Sequence, residues 1–481
     1  MTQTPVGRLK SDARFIVVIF KARSTNSQGG FRMKKLMYVA LLAIGVVILM
    51  APPAMAQEEK PFTIHGEVRF RGEYDNNTSD FDDNGNPDDG GLFWPYRVRI
   101  AAEGKFTKNV STWIEFQNAG VAGVGVLGPQ RLGGIAAIGD GVELYQGNMT
   151  FDQLWSKNFS LRIGRQEIVA GNELLLGDLD FYAGMSHDGG VGTWKVKKVN
   201  LMLWYTRPFE GQVTSIIAGS QPPDQIAIAD GFGSNTQHFM GGYATWTWKK
   251  NQTFDVYLMN LANRSNGANF QTIGARYAHD TTATGFFWDV ELVGQFGQEE
   301  SEALGGAGVD VDASGKAIEG WFGYSIKSGK NVHRFSGRLE QASGDKASTG
   351  SKNEGFIPLF GDFHNRLGHG DWFQMADNTT GLNGGVSGGI QGLSASYTGY
   401  YRDRHEFGVA FWQYKLEEDN GAASGDKLGT ATDVWYGFNY SRNVNFNISL
   451  SQLSPDDALT GGGGAPNDNV TRLYGQARLR F

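Results

Sequence analysis

The chain of 481 residues contains no cysteine. That removes disulfides, thiolate nucleophiles, thiolate metal ligands and the C-x-x-C-H attachment of a c-type haem. Charged residues are sparse at 19%, and the formal net charge of −7 offers no basic excess for nucleic acid. Apolar runs long enough for a spanning helix are missing beyond about residue 55, so any membrane crossing there must use strands. There is no H-E-x-x-H zinc pair, and an enzyme is not expected.

Glycine and aromatics are plentiful, at 68 residues and 12%. Many segments alternate strictly. "FTIHGEVRFRGEY" sets Phe62, Ile64, Val68, Phe70 and Tyr74 on one face and His65, Glu67, Arg69, Arg71 and Glu73 on the other. "YRVRIAAEGK", "FFWDVELVGQF" and "VNFNISLSQ" repeat the pattern, with an apolar face almost free of charge. Long and short links alternate between these segments. The short ones include "TKN" 107–109, "VKK" 196–198, "KSGKN" 327–331 and "SRN" 441–443; the long ones include 167–190, 207–237 and 342–389. Long loops at one end and tight turns at the other mark an outer-membrane barrel. The expectation is an all-β, antiparallel, up-and-down transmembrane barrel of about 18 strands with both termini periplasmic.

The last segment, "VTRLYGQARLRF", fixes which face is outside. Arg472, Arg478 and Arg480 share one face and Leu473, Ala477, Leu479 and Phe481 the other. An arginine turned to lipid at the bilayer midplane costs roughly 2–4 kcal/mol, so the arginines line the lumen. Closure brings this strand beside the first two, placing Arg69, Arg71, Arg97 and Arg99 on the same wall. Further inward arginines are expected at Arg162, Arg165, Arg334 and Arg338. Rings or ladders of arginine select anions, and the same side chains also satisfy a polar barrel interior.

The N-terminal part reads separately. Lys34 and Lys35, an apolar stretch from Leu36 to Met50 and the small-x-small end Ala54-Met55-Ala56 form a secretory signal peptide. Met33 is read as the true start, residues 1–56 as leader and cleaved signal, and 57–481 as the barrel. Removing the net +7 of residues 1–56 from the whole chain's −7 leaves −14.

One loop carries cation-binding spacing. Asp80, Asp82 and Asn84 precede Gly85 as in a calcium loop, with Asp88 at the ninth place and Gly91 where a bidentate glutamate belongs. Calcium is the candidate ion there, and no cofactor is required. Asp362, His364, His369 and Asp371 are a second, weaker cluster of metal-ligand types.

Several pieces, "LRIGRQEIVAGNELLLG" at 161–177, "SHDGG" at 186–190, "ASGD" at 342–345, "FIPLFGDFHNRLGHGDWF" at 356–373 and "LGTATD" at 428–433, resemble the alginate export porin family. The chain departs from the family's pattern at His187 and Ala431. The resemblance implies an 18-stranded barrel with an arginine-rich conduit for an anionic polysaccharide such as alginate. The expected function is therefore an outer-membrane channel for anionic solutes or an acidic polysaccharide. The alternatives are a general diffusion porin or a sleeve for a partner such as a multihaem cytochrome. Expected partners are outer-membrane lipid and lipopolysaccharide, the transported anion and a periplasmic protein, with no nucleic acid.

Overall fold

A computed structural model describes residues 62–78, 80–85, 90–122, 142–208, 237–263, 267–300, 310–346, 348–377, 386–419, 425–461 and 465–481. The leader, the signal peptide and Asp88 lie outside these residues. Eighteen strands form one closed antiparallel barrel, with almost no helix. The first strand, Thr63–Asn76, pairs with the second, Pro95–Thr107, on one side. On the other it pairs with the last, Val470–Arg480, in a register running from Glu67 opposite Arg480 to Asn76 opposite Thr471.

The period-two pattern creates this architecture by inverting the usual burial. On the first strand Arg71 is 2% exposed and Glu73 1%, whereas Ile64 is 55% exposed and Phe70 47%. Charges face inward and apolar side chains face outward along the whole strand, which suits a wall standing in hydrocarbon. A one-residue slip would turn every arginine to the outside, so the register is fixed by the same pattern.

The tight turns are short because they can be. Between Val196 and Val199, and between Lys249 and Gln252, two residues suffice; Lys197 and Asn251 take φ of 51° and 61°, as hairpin turns require. Aromatics gather on the outer face at this end, with Phe62 against Phe106, Trp155 and Trp194 against Phe159, and Trp246 against Trp248. Such a girdle seats a barrel at the membrane interface. Both chain ends of the barrel lie here. Phe481 closes the seam by exchanging backbone hydrogen bonds of 2.9 and 3.0 Å with Gly66, and its ring fills the space above that glycine.

Two long connections fold into the barrel. Residues 167–186 and the described parts of the second connection, 344–346, 348–377 and 386–388, meet along a short stretch of pairing, Phe360 donating to Leu175 at 3.0 Å and Gly177 to Phe360 at 2.7 Å. Leu174, Leu176, Phe356, Phe360, Trp372 and Phe373 are buried between them and the wall residues Phe239, Tyr257, Met259 and Trp412. The barrel thus carries its main apolar core inside, as a plug.

Candidate functional site

The closing seam brings Arg69, Arg71, Arg97 and Arg99 onto one inner wall beside Arg472, Arg478 and Arg480. Their carboxylate partners are local. Arg97 reaches Glu67 at 2.5 Å and Asp180 at 2.6 Å, Arg71 reaches Glu73 at 2.7 Å, and Arg472 reaches Asp75 at 2.7 Å. Glu67 also accepts from Arg480 at 2.9 Å. Arginines outnumber acids on this wall.

Much of their hydrogen bonding goes to the backbone of the first inward connection. Arg69 donates to the carbonyls of Asp180 (2.6 Å) and Tyr182, and Arg97 to the same two at 3.0 and 3.2 Å. Arg71 takes the Phe181 carbonyl at 2.7 Å and Arg99 that of Ala183 at 2.6 Å. Tyr182 completes the latch by donating to Glu73 at 2.7 Å. Gly184, at φ 88°, is required: a β-carbon there would lie 2.4 Å from both Arg99 and the Tyr145 hydroxyl. Burial works against a charged Asp180, but Arg97 and Arg99 outweigh it and hold the carboxyl at about 2.

A second charged stripe stands on the strands half-way round. Arg276 is held between Asp255 at 2.9 Å and Asp289 at 2.5 Å. Arg338 pairs with Glu319 at 3.1 Å and Glu340 at 2.5 Å, and Arg366, from the second inward connection, also reaches Glu319. With Glu291, bonded by Tyr257 at 2.6 Å, acids outnumber arginines here. The lumen is polarised, basic at the seam and acidic opposite. Arg276 is out of phase with the outward Ile273 and Tyr277 of strand Asn269–His279, but that strand mixes polar and apolar residues on both faces and signals its phase far less clearly than the first. Arg366 has no such signal, since it sits in a loop without period.

Between plug and seam lies a cavity of about 300 Å³ bordered by Arg69, Arg71, Arg478, His364, His369, Glu406, Trp435 and Tyr474. Arg71 lies 3.6 Å over the Phe181 ring, which stacks on His364. Arg478 has Asn445 as its side-chain partner at 3.3 Å and keeps the rest of its guanidinium toward this space.

The remaining sequence candidates divide. Arg162 is inward and bonds Gln166 and the Glu167 carbonyl. Arg334 is inward near the tight turns, paired with Asp280 at 2.7 Å and 3.9 Å over Phe287. Arg165 is a correction: it shares the phase of Phe159, Leu161 and Ile163 and therefore stands on the outer face, where Asp188 on the next strand neutralises it at 2.7 Å. In the first long loop, Asp80 and Asp82 accept backbone amides from Asp82 and Asn84 at 3.1 and 2.8 Å, folding the loop on itself.

Asp362, His364, His369 and Asp371 do not converge. His364 pairs with Asp371 at 2.6 Å, and His369 stacks on Trp435, burial pushing it down to about 4. Asp362 instead approaches Glu173 and Asp178, where the two inward connections meet, with carboxylate oxygens within 4.8 Å of one another. Burial raises all three, with repulsion from Asp178 and Asp180 adding to Glu173 and Asp178 respectively. The spacing G-x-S-x-G occurs at residues 385–389, but it leads into strand Gly389–Tyr401 rather than from a strand into a helix, so it lacks the geometry of a nucleophile elbow.

The family model for alginate export matches residues 61–472. The chain belongs to the alginate export family. Among solved structures, this family member is similar to *Pseudomonas aeruginosa* OccK2 (OpdF) in complex with glucuronate, at 12% identity, 88% of this chain, 100% of that chain and a TM-score of 0.56. It is also similar to *Pseudomonas aeruginosa* OpdQ, at 13% identity, 87% and 97% coverage and a TM-score of 0.54. A BenF-like porin from *Pseudomonas fluorescens* Pf-5 matches at 12% identity, 88% and 100% coverage and a TM-score of 0.54. No curated protein sequence matches the chain. Family and fold together are those of an outer-membrane channel.

Proposed function

We propose that the protein conducts anionic solutes or an acidic polysaccharide such as alginate across the outer membrane, with its tight turns and both termini in the periplasm. The observation that carries this reading is the inward arginine bank of the seam, with Arg478 turned into the cavity beside Arg69 and Arg71. A planar guanidinium stays charged at any relevant pH and offers paired donors to a carboxylate. Two of the similar solved porins hold carboxylates, OccK2 (OpdF) with glucuronate and Pseudomonas aeruginosa OpdK with vanillate. They support the anion class and leave the polymer length to experiment. The plugged lumen is read as the closed state, with the latch to be released for passage. Because the chain's own connections fill the lumen, the reading as a sleeve around a cytochrome is set aside.

Arg69 and Arg71 hold the plug, so replacing them would open the barrel and alter its charge together. Arg478 separates the two effects. Arg478→Ser should shift the reversal potential in a salt gradient toward cations without raising closed-state conductance. A wild-type pore that already prefers cations, or an unmoved potential in the variant, would make this a general diffusion porin with structural arginines.

A further inference from the structure

Above the apolar band, toward the long connections, the outer wall carries cations in two different settings. Arg165 and Arg207 occupy outward positions, and the strand between them places Asp188 opposite both. Arg165 holds that carboxylate with bonds of 2.7 and 2.9 Å. This group is satisfied within the protein.

The second setting is the reverse. Lys415, the last residue of strand His405–Lys415, is the direct cross-strand partner of Lys427, the first of strand Lys427–Asn439. Both are exposed. Phe411, Gln413 and Lys415 alternate with buried Trp412 and Tyr414, so Lys415 faces outward. A bulge turns Leu428 into the core, with Gly429 at φ 138°, and leaves Lys427 on the outer side. Like charges directly opposite on a sheet destabilise the pair. Among the described residues neither lysine forms an ion pair; the nearby loop acid Glu418 goes to Lys346 instead. Gln391 stands opposite Lys415, and Gln413 opposite Thr430, adding amide and hydroxyl donors around the two ammonium groups. Lys316, also exposed, lies three strands further round and two residues along, about 16 Å away at ~4.8 Å per strand and ~3.4 Å per residue.

We propose that Lys415 and Lys427 form a binding site for the phosphorylated sugar headgroup of lipopolysaccharide. A phosphate seated between two opposed ammonium groups turns their repulsion into two charge-assisted contacts, and the amides complete its donor shell. A headgroup with a second phosphate has Lys316 to reach. The site rests on the reading that the long connections face the outer leaflet. It is independent of conduction, because these side chains face lipid and not the lumen.

The test is native mass spectrometry of the purified full chain in detergent with chelator, offered bisphosphorylated lipid A or phosphatidylcholine. Wild type should retain lipid A and not phosphatidylcholine, and Lys415→Gln with Lys427→Gln should lower lipid A occupancy about tenfold, the scale of two lost charged contacts. Lys415→Glu is the second variant: it creates an attractive pair with Lys427, favours folding and should also abolish retention. Equal retention by wild type and variants, or equal retention of both lipids by wild type, overturns the site. All variants should keep wild-type conductance and reversal potential in phosphatidylcholine bilayers, so failure of the channel reading and failure of the lipid site show up in separate measurements.

Discussion

Arg97 makes the heaviest demands of any single residue on the seam. Its guanidinium is fully buried, bonded to Glu67 and to both the carboxylate and the backbone of Asp180. Arg97→Met would leave the Glu67 carboxylate buried with only exposed Arg480 as a cation, and breaking one side of a buried pair costs about 3–5 kcal/mol. Urea unfolding followed by tryptophan fluorescence should show a loss of that size, and Arg478→Ser a much smaller one. The loop acids give a pH signature. Glu173, Asp178 and Asp362 are raised in the docked state, so their contribution to docking is full at low pH and is lost as pH rises through the raised values. Asp180 acts oppositely: its contribution holds above the usual 3.8 and is lost as pH falls toward about 2. Docking should therefore weaken as pH rises above the ordinary carboxylate range, and be tighter at a pH within that range but above the Asp180 window than at neutral pH. Hydrogen exchange of residues 173–178 and 360–362, corrected for intrinsic rate, should be slower at the lower pH, and Asp362→Asn should shrink the difference.

At the scale of elements, the plug is held by two different kinds of contact: polar ones at the seam and, through Arg366 and Glu319, on the acidic wall, and apolar ones between. Trp372 is wholly buried in the apolar part, and Arg472 lies 5.1 Å over its ring. Trp372→Ala should cost the plug about 3–5 kcal/mol, the range for truncating a buried tryptophan. Since the strands keep their ladder, the loss should appear as a higher open probability in single-channel recordings and not as a failure to fold; an unchanged closed state would mean that the latch alone holds the plug. The strands were legible in the sequence because period-two alternation is a local signal, and the alternating link lengths located nearly every turn. The plug was not. "FIPLFGDFHNRLGHGDWF" has no period, and nothing local says that its aromatics pack against Leu174 and Leu176, far away in the chain. The same limit explains the site: seam arginines follow from strand phase, whereas their carbonyl partners belong to a loop whose path only the fold reveals. Arg165 was misplaced for a related reason, since it lies at a strand end where only the phase of Leu161 and Ile163 assigns its face.

For the whole molecule, net charge and local charge point in opposite directions. The chain without residues 1–56 carries −14, yet the seam wall is basic and the acidic excess lies partly on the opposite wall and partly in loops such as 80–85. Exposed loop charges are screened within about 8–10 Å in physiological salt, so a passing ion responds to the nearest wall. Those figures assume that the basic leader is gone from the mature protein, which should begin at Gln57. N-terminal sequencing of the membrane-extracted form checks this, and a chain retaining Met33 would restore the lysines at 34 and 35 and overturn the assignment.

The latch on the first inward connection has a consequence for how this protein can change over generations. Four arginines grip main-chain oxygens of residues 180 to 183, atoms that every amino acid supplies. The backbone grip itself does not depend on the side chains there, although Asp180 (through Arg97), Phe181 (under Arg71 and against His364) and Tyr182 (through Glu73) are each held in their own right. An insertion or deletion of one residue is another matter, because it turns each carbonyl away from its arginine at once. Selection on this segment should therefore act on spacing as well as on spelling, conserving the length between Gln166 and His187 even where the letters outside residues 180–184 diverge.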